Sequence, residues 1–436
     1  MSLTADDQTT TGDIDGAGLA SRRAALGVVS AALDHRGGLE EALAAPAFSG
    51  LEVRERSFAR ALAMTVLRRK GALDRALDAR LKTPPPEVVT ALLRLGAAQL
   101  FYMDTAAHAA VATTMALAEQ DRGARPYKGL INAVLRRLSR GAPPATPPEA
   151  LAPDWLYARW TAAYGEEAAR AIAALIADEP ATDLTLRNPA DAPELAAAIE
   201  AEVLPGGSLR VPHRGELTEW PGFAEGRWWV QDASAAVPAR LLAAKPGETV
   251  LDLCAAPGGK TLQLAATGAA VTALDRSAPR LGRVRENLER MGFTAEIVAA
   301  EAASWDDARQ FDAVLLDAPC TATGTYRRHP DVLWGTRPPD IAKLAGVQSR
   351  LLRAAADRVR PGGRLVYCVC SLEPEEGEAQ VEAFLRARPE FSLDPAAPGE
   401  GGAPEASLAA GGVMRILPHH LPGGTDGFFA ARFRRA

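Results

Sequence analysis

Cysteine is scarce. A chain of 436 residues has four, Cys254, Cys320, Cys368 and Cys370, which excludes the disulfide framework of a small secreted protein. No pair of them has the spacing of a zinc knuckle with a matching second pair, so no metal is expected. Long apolar runs are also missing. None approaches the roughly 20 residues needed to span a bilayer. The first residues are polar and acidic (Asp6, Asp7, Asp13, Asp15), unlike a secretion signal, so a cytoplasmic location away from membranes is expected. Positive charge is not in excess: 49 Lys and Arg stand against 54 Asp and Glu, for a net charge of −5. That balance weighs against a nucleic-acid partner, although phosphates respond to local charge. Local basic clusters lie at Arg68-Arg69-Lys70, at Arg136-Arg137 with Arg140, and at Arg327-Arg328-His329. Each fits a solvated surface as well as a phosphate contact.

What is present reads as a globular protein of two or three domains, with 47% hydrophobic and 24% charged residues. Residues 1–18 are polar and Gly-rich and read as a disordered tail. Residues 19–141 are helical throughout. Ile131, Val134, Leu135 and Leu138 form one apolar stripe, with Asn132, Arg136 and Arg140 on another face. A second apolar helix is expected over Val88–Tyr102, after a block at Pro84-Pro85-Pro86. Residues 142–153 are a proline-rich linker. A small α+β connecting subdomain follows over 154–235. It has one helix from an Asp154 N-cap to Ala177, strands at Asp183–Arg187 and Arg227–Gln231, and a helix over Ala192–Val203. From 236 to 436 strands alternate with helices, which predicts a parallel sheet covered on both faces. The last strand, Phe428–Phe433, is expected antiparallel at the sheet edge.

Three places in this last region carry chemistry. Leu251-Asp252-Leu253-Cys254-Ala255-Ala256-Pro257-Gly258-Gly259-Lys260 ends a strand and opens a helix. Its glycines and free helix N–H groups suit a bound ligand. The G-x-G-x-x-G spacing for a dinucleotide is absent. Asp275 closes the next strand, where a carboxylate can accept both hydroxyls of a ribose. Asp317-Ala318-Pro319-Cys320 and Cys368-Val369-Cys370-Ser371 end two further strands, so two thiols and a carboxylate converge at the carboxyl edge of one sheet. Cys368 and the thiol of Cys254 fit a packing role.

In combination, LDLCAAPGGK (251–260), LLDAPCTATG (315–324), RRHPD (327–331), the CS at 370–371 followed by PEE (374–376), and DGFF (426–429) resemble the RNA cytosine-C5 methyltransferases of the RsmB (Sun/Fmu)/Nop2 family. The helical region, with GLINAVLRR (129–137), resembles the NusB-type RNA-binding fold. Within the family that domain points to the branch acting on small-subunit (16S) rRNA. The resemblance implies a multidomain chain: an all-α NusB-like domain, the connecting subdomain, and an α/β Rossmann-like domain dependent on S-adenosylmethionine. It implies that Cys254, Ala255, Ala256, Pro257, Gly258, Gly259 and Lys260 contact that cofactor, that Asp275 holds its ribose, and that Asp317 lies between cofactor and base. Arg280 is a further candidate on the cofactor side. Glu301 stands where the family has the Asp of a Gly-Asp pair near the adenine, with Ala300 for the glycine. Gly377 replaces a common Asn, which implies lost hydrogen bonding.

The implied catalytic set is Cys370, Cys320 and Asp317. Cys370 attacks carbon 6 of the cytosine, Asp317, if protonated or hydrogen-bonded to ring N3, stabilises the charge that develops there, and Cys320 assists release. The expected partner is 16S rRNA, free or in an early assembly state, and the expected active form is a monomer. Two other readings stay open at this level. One is a DNA cytosine-C5 methyltransferase, which would attack from Cys320 after Pro319. The other is a non-catalytic RNA-binding or ribosome-assembly factor.

Overall fold

A computed structural model describes residues 16–34, 38–212 and 215–436. The chain divides into two compact units, Met1–Tyr157 and Ala158–Ala436. Most of the expected tail, residues 1–15, lies outside the described residues. Its last three residues do not belong to a tail: the first helix is Gly16–Leu33.

The first unit is all helical. After Gly16–Leu33 come Gly38–Ala44, Pro46–Ser49, Val53–Arg68, Lys70–Asp78, Glu87–Tyr102, Ala107–Gln120 and Lys128–Leu138. Glu87–Tyr102 begins directly after Pro86, where proline's fixed φ suits a helix start. Ile131, Val134, Leu135 and Leu138 are the buried face of Lys128–Leu138. They join Leu62, Val66, Leu92 and Leu93 in one core. Gly96 lets two helices meet closely, since a Cβ there would lie 2.7 Å from Leu135. In the proline-rich segment, Pro148–Ala150 forms a single 3-10 turn, and Ala150, Leu151 and Ala152 are buried.

From Asp154 the chain forms two helices, Asp154–Tyr164 and Glu166–Ala174, rather than one running to Ala177. Gly165, at φ +84°, leaves helical space and breaks them, and Asp154 is itself the first helical residue. A small antiparallel sheet has β1 (Thr182–Leu186), β2 (Glu202–Val203), β3 (Leu209–Val211) and β4 (Trp228–Val230), in the order β2-β3-β1-β4. The expected helix over Ala192–Val203 stops at Ala198, because Glu202 and Val203 pair with β3. This sheet is tied to the rest of the unit. Arg210 donates to both oxygens of Asp183, at 2.8 and 2.9 Å, and to the Pro422 carbonyl at 2.8 Å.

The main sheet has β5 (Thr249–Leu253), β6 (Ala270–Asp275), β7 (Glu296–Ala299), β8 (Phe311–Asp317), β9 (Val359–Val369), β10 (Phe391–Leu393), β11 (Met414–Ile416) and β12 (Phe428–Arg435). Its order is β10-β12-β9-β8-β5-β6-β7, with β11 also on β12. β5 to β9 are mutually parallel. β12 is antiparallel to β9, as expected, but it is not at the edge, because β10 and β11 pair with its other side. Alternate residues feed two cores. Leu251, Leu253, Val314, Leu316, Leu365 and Tyr367 face one; Val250, Ala313, Leu315 and Val366 face the other. Burial on both faces is what a helix-covered parallel sheet requires. Order along the sheet reverses at β5, with β6 on one side and β8 on the other. Such a switch point opens a crevice at the strands' carboxyl ends.

No helix among the described residues is long and apolar enough to cross a membrane.

Candidate active site

The loop after β5 is held by its neighbours rather than by its own propensity. Cys254 has φ +61° and Gly258 φ +106°. A left-handed residue that carries a Cβ costs on the order of 1–3 kcal/mol and persists where its surroundings over-determine it. Those surroundings are visible. Ala255 N–H donates to the Leu274 carbonyl at 3.0 Å. Ala256 N–H donates to Asp275 at 3.2 Å, and the Ala256 carbonyl accepts from Arg280 at 2.6 Å. A Cβ on Gly258 would lie 3.2 Å from Val284, so the loop presses on the helix Ala278–Met291. The helix Gly259–Ala266 follows at once, with its N-terminal N–H groups at this loop. Asp275 also accepts from Ser277 N–H at 2.8 Å. Each of its oxygens keeps a second lone pair.

Carboxylates surround this loop. Burial pushes the Cys254 thiol up to about 12, aided by the charges of Asp317, Asp275, Asp252 and Glu301, so it stays protonated at neutral pH. Asp252 is fully buried and is pushed up to about 7 by that burial. One of its oxygens accepts from Thr261 at 2.6 Å and the other has no partner. Glu301 is exposed and begins the turn after β7.

Lys260 is not a surface lysine. It is 9% exposed, and its Nζ reaches across to Asp317 at the end of β8, 2.7 Å away. It lies 5.0 Å from the centre of the Phe428 ring. Burial works against its charge, but the groups facing it, Asp317 first, together outweigh this and its pKa is raised. The other Asp317 oxygen is 3.5 Å from Cys368 Sγ. Cys368 is wholly buried, and burial holds its thiol protonated.

Cys320 and Cys370 meet, with Sγ atoms 3.5 Å apart. Hydrogen bonding with Cys370, and then burial, raises the Cys320 thiol well above its ordinary value. Thus Cys254, Lys260, Asp275, Asp317, Cys320 and Cys370 all lie at the carboxyl ends of β5, β6, β8 and β9. The basic cluster at 327–329 does not form a free positive patch. Arg327 is buried and donates to the Gly423 carbonyl at 2.6 Å, and Arg328 pairs with Asp426. In the helical unit, Asn132, Arg136 and Arg140 line a groove with His108, Val111 and Met115.

Sequence reasoning gave no weight to Arg415 on β11, which explains Gly377. A Cβ at 377 would come within 2.3 Å of the Arg415 guanidinium and 2.9 Å of Phe429. The guanidinium stacks on Phe429 and donates to the Ser371 carbonyl at 2.5 Å and to Glu378 at 2.7 and 3.0 Å. Hydrogen bonding to this turn is therefore supplied from another strand. Only the bare glycine in an otherwise polar motif could have signalled it.

Comparison with known proteins agrees with this architecture. Residues 239–434 match the family "16S rRNA methyltransferase RsmB/F", and residues 19–140 match the NusB family. The ribosomal RNA small subunit methyltransferase B of Xanthomonas campestris pv. campestris is 37% identical over 96% of this chain and 98% of its own. That of Pseudomonas syringae pv. tomato is 36% identical over 94% and 96%. The crystal structure of PH0851 superposes with a TM-score of 0.78 at 26% identity, covering 96% of this chain and 99% of that one. NSun6 from Pyrococcus horikoshii, solved with SFG, shares the fold at a TM-score of 0.55 and 22% identity, over 65% of this chain and 98% of its own.

Proposed function

The chain belongs to the RsmB/F family of S-adenosylmethionine-dependent 16S rRNA methyltransferases, and from that premise we propose that it methylates carbon 5 of a cytosine through a covalent bond from Cys370. The observation that carries this reading is the 3.5 Å meeting of Cys320 and Cys370, at the same strand ends where Lys260 pairs with Asp317. Carbon 5 of cytosine is a weak nucleophile. Addition of the Cys370 thiolate at carbon 6 makes the ring an enamine whose carbon 5 can take a methyl group. A water in the crevice takes the carbon-5 proton, the electron pair of that C–H bond re-forms the C5–C6 double bond, and the sulfur of Cys370 departs as a thiolate. Lys260 stabilises the negative charge that develops at the N3 side of the ring, and Asp317 acts there when it carries a proton and donates it as a hydrogen bond to N3. The target nucleotide must be unpaired or flipped to enter the crevice, which favours free or early-assembly rRNA as substrate. The protein acts as a monomer. Bisulfite sequencing of 16S rRNA methylated by the purified protein should show one newly protected cytosine. Methyl incorporation with no protected cytosine would overturn carbon 5 as the target.

The residues fit the cofactor. S-adenosylmethionine supplies an electrophilic methyl group on a cationic sulfur, and the carboxylates of Asp275 and Glu301 near Cys254 suit a cation. Cys254 to Gly259 bring backbone close to it, and Asp275 accepts the ribose hydroxyls. Asp275→Ala should therefore weaken S-adenosylmethionine binding by about 1.5–3 kcal/mol, the range for hydrogen bonds to a charged group. Calorimetry reads this as a roughly 10- to 150-fold rise in Kd. A Kd within twofold of the parent would remove Asp275 from the ribose.

The helical unit contributes RNA affinity rather than chemistry. The support is the groove with Asn132, Arg136 and Arg140, where both arginines are exposed. A chain shortened to residues 150–436 should bind S-adenosylmethionine as the full chain does but methylate 16S rRNA poorly, with the loss in KM. Unchanged KM would defeat the assignment.

A further inference from the structure

The two thiols stand on separate turns, one after β8 and one after β9, and no covalent bond fixes their spacing. What touches both turns is the carboxylate of Glu376, which is 0% exposed. Thr321, next to Cys320, gives it its N–H, 3.0 Å from one oxygen and 3.3 Å from the other, and also its hydroxyl. Ser371, next to Cys370, gives its hydroxyl. Gln348, on the helix Pro338–Asp357, gives its amide at 2.9 Å. A carboxylate has about four acceptor sites, and these four donors fill them.

Further bonds join the same two turns. Gly324 N–H donates to the Cys370 carbonyl at 3.0 Å. Leu372 N–H donates to the Thr323 hydroxyl at 3.0 Å. Both hydroxyls beside the thiols already spend their single hydrogen on Glu376, so their mutual 3.1 Å approach is held by the shared acceptor. Without that acceptor, the Thr321 N–H and one Gln348 N–H lose a buried partner, and the two hydroxyls are left with each other at 3.1 Å. The residues that follow the two cysteines are then joined by the two backbone N–H bonds above and by each other's hydroxyls, which leaves their spacing less firmly set.

We infer that Glu376 is a positioning residue that sets the spacing of Cys320 and Cys370 by strapping Thr321 to Ser371. The inference rests on the reading that Cys370 attacks the base and Cys320 assists release. It places Glu376 behind the reaction and not in it, so its loss lowers the rate of attack and leaves cofactor affinity alone. A displacement of about 1 Å at reacting atoms costs on the order of 100-fold. A glutamine at this place keeps the strap. Its oxygen accepts from Thr321 N–H and Gln348, and its NH2 donates to the two hydroxyls, which can turn to accept.

The test uses the full chain carrying Cys320→Ala, with S-adenosylmethionine and unmodified 16S rRNA, and follows the rate at which protein becomes bonded to RNA. Adding Glu376→Ala should slow that rate about 100-fold, with the S-adenosylmethionine Kd within twofold by calorimetry. Adding Glu376→Gln instead should restore most of the rate. If the Cys320→Ala parent itself forms no adduct, the reading of Cys370 fails. If the parent forms it and Glu376→Ala forms it equally fast, the positioning role fails. Should Glu376→Ala not bind S-adenosylmethionine, Glu376→Asp decides. One methylene shorter, it cannot reach both turns, and in the otherwise unaltered enzyme it should lower kcat with the KM for rRNA unchanged. A parental kcat there overturns the inference.

Discussion

A denaturing gel of Cys320→Ala, incubated with S-adenosylmethionine and unmodified 16S rRNA, is expected to show a slow band of protein joined to RNA. The same gel of Cys370→Ala is expected to show none, and that variant should have no detectable turnover. The asymmetry follows from the proposed roles and the 3.5 Å contact. Without the Cys370 sulfur no bond to carbon 6 can form. The Cys320 thiol is held protonated by its neighbour and by burial, so it can donate a hydrogen bond to Cys370 whenever the latter is a free thiolate. That bond stabilises the state before attack and the state after release, but not the adduct between them. Its removal in Cys320→Ala therefore tilts the balance towards the adduct, and the product stays attached. If Cys320 were the attacking group, as in the DNA-enzyme arrangement, the pattern would reverse and Cys370→Ala would trap RNA. If both thiols only fill space, each variant would lose a little stability through a small cavity, and neither would trap.

The candidate site at the strand ends was legible in the sequence because its residues cluster in short motifs there. A strand followed by a turn that needs Gly258, or by the cysteine at 320 or 370, announces its own location. The alternation of buried strands and helices was legible for the same reason, since both faces of β5, β8 and β9 are apolar. Breaks in helices were less so. Gly165 interrupts an otherwise helical run, and glycine within a helical pattern does not declare whether it will take positive φ. Short strands such as β2 and β11 have two and three residues, too few for a period to show. The position of β12 inside the sheet depends on β10 and β11 pairing with it, a long-range choice that local pattern does not encode. Side-chain partnerships were hidden most. Arg415 stands 44 residues from the Ser371 carbonyl that it holds, and Lys260 stands 57 from Asp317. The cluster at 327–329 left a solvated surface and a phosphate contact equally open on charge alone, yet Arg328 has its counter-ion in the chain.

Lys260→Met should lower kcat by roughly 100- to 1000-fold, the usual loss when a preorganised electrostatic group is removed, while the S-adenosylmethionine Kd stays within twofold. The motif alone put Lys260 with the cofactor-binding loop. Its geometry supports a different task. From the first turn of the helix Gly259–Ala266 the side chain runs to the carboxylate at the end of β8, where its ammonium is 2.7 Å from Asp317. Burial taken alone would drive that proton off. The groups facing it, Asp317 first, reverse the sign, and the net shift is upward. A lysine whose pKa is raised above its ordinary 10.5 keeps its charge throughout pH 7–10, so its titration should not make kcat fall with rising pH in that range. A fixed cation beside Asp317 then stands where, in the proposed reaction, negative charge grows at the N3 side of the ring as sulfur adds to carbon 6. Because the charge is already in place and largely shielded from water, it needs little reorganisation when that charge develops. Methionine keeps the length and apolar stem but leaves Asp317 without its counter-ion. Calorimetry with S-adenosylmethionine and single-turnover methylation of 16S rRNA separate the two tasks. Weakened cofactor binding with the methylation rate retained would return Lys260 to the cofactor and leave Asp317 to act on the base alone.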